Sequence, residues 1–217
     1  MKSIYLYFFP VFFLLSSCQQ SQKKPGLYSF QNPETEYYGF KDADGKIVIP
    51  AQYIGVDNGI AGDHECPPKV YFVDRPYEIV SKNRKKFAID QTGKPLFRAY
   101  WFDNGPDYFK QGLSRFVHLE KDKIGFMDNK GKEIIPAIFD WASPFRNDTA
   151  FVCNGCKAVP IRPIKFIAAT GNQIYEYKKI IGGKWGAIDK RGQVTIPLKY
   201  DSGKQVETAL KEKGIKS

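Results

Sequence analysis

The chain has 217 residues, with 33 Lys and Arg against 23 Asp and Glu and a formal charge of +10. Its 17 Phe, 13 Tyr and 3 Trp against 2 Met favour pleated sheet over helix, and the length suffices for one domain with a real core. There are only two histidines, His64 and His118, and the sequence holds no G-x-S-x-G elbow, no H-E-x-x-H helix and no phosphate-binding loop.

At the N-terminus Lys2 precedes an apolar run, Ile4–Leu15, that is too short to cross a bilayer, where about 20 residues are needed, and fits the core of an export signal. Leu15-Ser16-Ser17-Cys18 follows and resembles a bacterial lipobox, in which the cysteine is acylated and becomes the mature N-terminus. Residues 1–17 are therefore read as a lipoprotein signal peptide, Cys18 as the lipidation site and 18–36 as a lipidated tether. Gln19, the residue after Cys18, is compatible with transfer to an outer membrane. Loss of Lys2 with the signal lowers the charge to +9 (10 − 1).

The next element is a hairpin, Tyr38-Gly39-Phe40-Lys41-Asp42 turning through Gly45 into Ile47-Val48-Ile49-Pro50. Asp at the head of the turn accepts local backbone N–H bonds, Gly supplies the positive φ that closes it, and Pro is expected to stop the returning strand for want of an N–H. The pattern returns at Ile124–Pro136 and Trp185–Pro197. A degenerate copy spans Phe87–Phe97, with Phe87 for the first Gly and Arg98 for the Pro. Aromatics Tyr53, Trp101, Phe139 and Tyr200 recur at one phase, where packing between units explains them better than a ligand-stacking platform.

Trp185-Gly186-Ala187-Ile188-Asp189-Lys190, with its Gly-x-x-x-Ile-Pro-x-x-Tyr-Asp tail, resembles the WG (KWG) repeat of bacterial proteins. Phe109–Val117, and more weakly Phe145–Val152, match the strand that precedes such a hairpin. The resemblance spans about residues 37–201 and implies a repeat architecture, with no general activity attached. It leads to an all-β array of four hairpin units over 37–201, solenoid-like or an irregular sheet, with propeller-like closure as the alternative. Two inserts interrupt the array. Asp57–Lys86 holds a candidate strand, Val70–Val73, and the basic run Lys82-Asn83-Arg84-Lys85-Lys86. Cys153–Lys179 holds two more candidate strands, Ile161–Ile167 and Gln173–Tyr177. The tail, 202–217, carries a short helical period with Val206, Ala209 and Leu210 on one face and is expected to cap the last unit.

The chemistry-bearing candidates lie in the inserts. In an exported protein Cys153-Asn154-Gly155-Cys156 and Cys66 are candidates for a disulfide, either within the close pair or between Cys66 and one of the two. The same three thiols with His64 make up the ligand set of a structural zinc site, although the His-x-Cys half lies 87 residues upstream of Cys153. Redox activity is disfavoured because Pro160 and Pro163 oppose the helix that a thioredoxin-type motif opens. His118, in Phe116-Val117-His118-Leu119, is expected to be an ordinary strand residue. The repeated acids Asp42, Asp90, Asp128 and Asp189 are explained by the turns.

The reading is a non-catalytic lipoprotein of the bacterial envelope, on an outer membrane or facing a periplasm. It is expected to serve as a binding or scaffold module for another envelope protein or an anionic polymer, with no cofactor. Export argues against nucleic acid as the counter-charge for the basic body. The alternative is a thiol/disulfide or zinc protein centred on Cys66, Cys153 and Cys156.

Overall fold

The computed structural model describes residues 26–56, 71–73, 76–83, 85–102, 105–160 and 178–216. Its architecture is four three-stranded antiparallel meanders. The first is β1 (Tyr28–Gln31), β2 (Tyr38–Lys41) and β3 (Ile47–Tyr53), which runs on into β4 (Gly55–Val56). The second is β5 (Glu78–Lys82), β6 (Lys85–Ile89) and β7 (Pro95–Ala99), followed by a small hairpin, β8 (Trp101–Phe102) and β9 (Gly105–Pro106). The third is β10 (Ser114–Val117), β11 (Ile124–Met127) and β12 (Glu133–Phe139), continued by β13 (Trp141–Ala142). The fourth is β14 (Thr149–Pro160), β15 (Lys178–Asp189) and β16 (Val194–Tyr200), closed by helix α1 (Gly203–Glu212).

Each meander hands over to the next by strand pairing: β4 joins β5, β7 joins β10 and β13 joins β14. The sheets are open rows, none closed, and the first and last units share no strand pair among the described residues. The first unit begins at β1, ahead of residue 37, because Phe30 already pairs with Gly39.

All four turns are built alike. Oδ1 of the leading Asp accepts two backbone N–H bonds, from Asp44 and Lys46, Thr92 and Lys94, Lys130 and Lys132, or Arg191 and Gln193, all at 2.9–3.0 Å. The turn glycine donates back to the Asp carbonyl and has φ of +87°, +84°, +76° and +80° in chain order. A side chain would strain each of them.

The returning strand does not stop at its proline. β3, β12 and β16 run through Pro50, Pro136 and Pro197 because each proline sits in a bulge, where the ladder asks for no N–H. Ile124 faces Phe139 while Phe126 faces Ile135, so two residues on β11 are matched by four on β12. The crowding falls on Gly125, where a Cβ would lie 2.6 Å from the Ile135 carbonyl oxygen and 2.8 Å from Phe116 Cε1. Gly39 and Gly186 meet the same obstacle, with Ile49 and Ile196 oxygens at 2.6 and 2.5 Å. The second unit shows the converse. Phe87 and Arg98 replace the Gly and the Pro, and there Ala88 pairs with Phe97 and Phe87 with Arg98, one to one.

Units stack by lodging each turn under the preceding strand. A Cβ on Gly93 would meet Ile49 Cγ2 at 3.0 Å, one on Gly131 would meet Tyr77 at 2.9 Å and Phe97 at 3.6 Å, and one on Gly192 would meet Ile135 Cγ2 at 3.2 Å. Ile49, Phe97 and Ile135 occupy equivalent places in their strands, and so does Ile196. Ile196 shares its core cluster with Val206, Ala209 and Leu210 of α1, so the helix takes the place of a fifth turn. Ser202 caps α1, its Oγ accepting from the Gln205 N–H. At the other end Phe40 is closed edge-to-face by Tyr71 and Phe72 at 5.4 and 5.5 Å.

Two expected local structures differ. Of the candidate strand Val70–Val73, Val70 lies outside the described residues and Tyr71–Val73 form no strand: Tyr71 makes an isolated bridge to Leu27 and Val73 is exposed. His118 stands just past β10, and its Nδ1 accepts from the Glu120 and Lys121 N–H groups at 3.2 and 3.3 Å, so it serves a turn. The candidate strands at 161–167 and 173–177 lie outside the described residues. On either side of them β14 and β15 extend the fourth hairpin as a two-stranded ribbon, paired from Thr149 with Asp189 to Pro160 with Lys178.

Candidate functional site

Three places on the molecule concentrate chemistry. The first is the Cys-x-x-Cys segment on β14. Cys153 and Cys156 are joined in a disulfide, with Cα atoms 6.1 Å apart. Gly155, between them, has φ +77°, and opposite lie Gly182 and Gly183 at +69° and +72°, so the ribbon kinks here. A Cβ on Gly183 would run into the backbone of Asn154 and into Cys153 Sγ. Both sulfurs are buried beside Trp185, whose ring packs on Trp141 with centroids 5.1 Å apart and whose Nε1–H donates to the Gly182 carbonyl at 3.0 Å. Neither sulfur is a thiolate in this state, so neither serves the zinc ligand set; His64 and Cys66, like the lipidation candidate Cys18, lie outside the described residues. Among the described residues no group of three or more His, Cys, Asp or Glu converges for a metal.

Asp140 fastens this kink to the third unit. Its Oδ2 accepts from the Gly155 N–H and its Oδ1 from Lys123 Nζ, both at 2.6 Å. Burial pushes the carboxyl up, but the Lys123 hydrogen bond, the Gly155 N–H and the Lys123 charge together hold it below the usual carboxylate range. Lys184 and Asp201 form the same pair in the fourth unit at 2.7 Å, exposed to solvent.

The second place is a buried ion pair between units. Asp107, after β9, receives Nε and Nη2 of Arg115 at 2.8 and 2.6 Å and the Arg115 backbone N–H at 3.0 Å. Arg115 Nη1 donates to the Ala142 carbonyl at 2.9 Å, and its guanidinium lies 4.0 Å from the centre of the Tyr100 ring. Both charged side chains are about 95% buried, at 3% and 5% exposure. Burial raises the Tyr100 hydroxyl. A cavity of about 30 Å³ adjoins the pair, room for one water. Reading by motif misses this pair. The available signal is the alternation in Leu113-Ser114-Arg115-Phe116-Val117, which puts Arg115 on the same strand face as Leu113.

The third is an open groove of about 470 Å³ between β16 and α1, lined by Lys199, Tyr200, Asp201, Gln205, Thr208 and Glu212 among others. Gln205 Oε1 accepts from the Asp201 N–H at 2.8 Å, which ties helix to strand along its floor.

The recurring aromatics divide. Tyr53 and Phe139 are buried at 4% exposure, Tyr200 is partly buried, and Trp101 is 38% exposed with Lys86 Nζ 4.6 Å over its ring. The four turn acids are brought into no common site, since each is engaged within its own turn.

Comparison with known proteins agrees with this construction. The family model described as WG containing repeat matches residues 38–57, 124–157 and 185–204. Neither the curated proteins nor the solved structures compared with the chain give a match. The matched segments are the hairpins that carry both the crowded glycine and the bulge proline, and the unmatched second unit repeats their turn without either. The chain thus carries the WG containing repeat in three of its four structural units.

Proposed function

We propose that this chain is a non-catalytic binding module tethered to a bacterial envelope membrane through acylated Cys18. Its body presents a rigid repeat surface to an envelope protein or an anionic wall polymer. The observation that carries the reading is how the repeats use their polar groups. Asp42, Asp90, Asp128 and Asp189 each hold their own turn, and the buried Arg115 and Asp107 saturate each other. These groups set shape and leave the groove beside α1 as the concave surface for a ligand.

Two measurements test it. Metabolic labelling with a palmitate analogue is expected to mark the chain, and Cys18→Ala is expected to abolish the label. Soluble wall fragments are expected to bind the purified protein and come back unchanged in mass, with Lys199→Glu in the groove weakening the binding of anionic fragments. Turnover of the fragments would overturn the non-catalytic reading, and an unlabelled wild-type chain would overturn the tether.

A thiol–disulfide role for Cys153 and Cys156 is the second reading, favoured by the disulfide and by Gly155, Gly182 and Gly183 shaped around it. Burial of both sulfurs weighs against it, because exchange needs access to an incoming thiolate. Intact mass before and after alkylation under mild dithiol reductant separates the two.

A further inference from the structure

We infer that the body lies against an anionic phospholipid surface through a patch where the basic β5–β6 hairpin meets the aromatic β8–β9 hairpin. Among the described residues, the other large exposed apolar side chains come singly or in pairs, as Leu96 does on β7, Ile47 and Val48 on β3, and Ile134 and Ile138 on β12, and call for no explanation. The stretch after β7 is different. Trp101, Tyr108 and Phe109 are 38%, 67% and 40% exposed within nine residues of chain, and Trp101 pairs across the small hairpin with Pro106. Lys86 sits 4.6 Å over the Trp101 ring, which brings the β5–β6 hairpin alongside, with exposed Lys85 next to it in the strand. Exposed Lys110 follows Phe109.

Two acids fall within this stretch: Asp103 lies outside the described residues, and Asp107 is turned inward with both its oxygens taken by Arg115. The described residues of this face, Lys85, Lys86, Trp101, Tyr108, Phe109 and Lys110, are therefore cationic and aromatic. That complements a negatively charged bilayer surface, where indole and phenol rings settle at headgroup level and ammonium groups meet phosphates. A sugar ring stacked on Trp101 is the less suitable occupant, because Lys86 already covers one ring face.

The root of the patch is rigid. The Asp107 N–H donates to the Tyr100 carbonyl at 2.8 Å and the Ser114 hydroxyl donates to the Asp107 carbonyl at 3.1 Å. The rings are thus presented without first being ordered, which lowers the cost of binding.

The inference depends on the envelope reading only for the presence of a membrane, and the experiment reads the two separately. The full-length protein is mixed with vesicles of phosphatidylglycerol and phosphatidylcholine carrying brominated acyl chains. Flotation reports the tether, and quenching of tryptophan emission reports the patch. Trp141 and Trp185 are packed on each other, so the expected result is quenching that is mostly lost in Trp101→Phe. It should also be lost in Lys85→Glu/Lys86→Glu and in high salt, and be absent with phosphatidylcholine alone, while Lys204→Glu on α1 leaves it intact.

Flotation without quenching would overturn the patch and leave the tether standing. Salt-sensitive quenching in a chain whose Cys18 is not acylated would uphold the patch and remove the tether. Equal quenching in neutral vesicles would overturn the inference. So would shielding of Trp101 that grows with protein concentration without lipid, the mark of a second copy, or equal shielding by a soluble acidic glycan.

Discussion

At the scale of single residues, the repeat is decided by a glycine that has no room for a β-carbon and an aspartate that does a backbone's work. Gly125→Ala would press a methyl group against the Ile135 carbonyl, and a backbone atom cannot rotate away. We expect a loss of about 2 kcal/mol or more in denaturant unfolding, against a change near zero for Gly55→Ala, whose Cβ would meet Ser81 at ordinary contact distance. Asp90, Asp140 and Asp189 supply a pH signature. Asp90 is held below the usual range first by the Thr92 hydroxyl. In Asp189, burial opposes the shift, but the Gln193 and Arg191 N–H bonds and the Arg191 side chain outweigh it. The folded carboxyls therefore bind protons less readily than the unfolded ones. Their contribution is complete above the unfolded pKa of about 4 and is lost as the pH falls through the lower folded values. The melting temperature should hold level from neutrality to mild acid and then drop, with Asp140→Asn flattening part of the drop. The Asp and turn-Gly roles were legible from residue type and spacing. The role of Gly125 was not, because its constraint comes from a strand ten residues away.

At the scale of elements, the hairpins and the C-terminal helix were legible because their periodicities are local. Val206, Ala209 and Leu210 are the residues that α1 buries. The prolines misled, since a missing N–H ends a regular ladder but is harmless inside a bulge, and only the pairing shows the bulge. The ribbon of β14 and β15 was hidden for a related reason: its strands are interrupted by glycines at positive φ, which break the alternation that marks a strand in sequence. The disulfide stiffens that interruption. In the chain-entropy account, closing so short a loop restrains the unfolded chain by about 2 kcal/mol. Cys153→Ser/Cys156→Ser should therefore lower the melting temperature by roughly 4–8 °C, and wild-type chain reduced while unfolded and then refolded should show the same shift. A larger fall would mean that the kink, and with it the Asp140 contact to Gly155, is lost as well.

At the scale of the whole molecule, one charged pair joins three units. Arg115 lies on the first strand of the third unit, Asp107 in the link from the second, and Ala142, whose carbonyl Arg115 also holds, at the entry to the fourth. Arg115→Ala strands a buried carboxylate and is expected to cost about 3–5 kcal/mol, whereas Arg115→Met combined with Asp107→Leu should cost much less. Chemical denaturation of the single and double variants distinguishes a clasp that is needed from one that is only tolerated. This pair was beyond motif reading because Asp107 lies in a link outside the repeat and nothing in the β10 strand pattern names the partner of Arg115.

The lodging of each turn beneath the preceding strand gives the array a grain, like courses of overlapping roof tiles. A tile at the lower edge covers the one above it, so removal bares its neighbour in one direction only. Stripping α1 should uncover Ile196 and start a retreat toward the N-terminus, unit by unit. Trimming the other end removes Phe40 together with its own unit and leaves every later overlap in place. Gene shortening or proteolysis should accordingly be tolerated better from the front of the body than from its back.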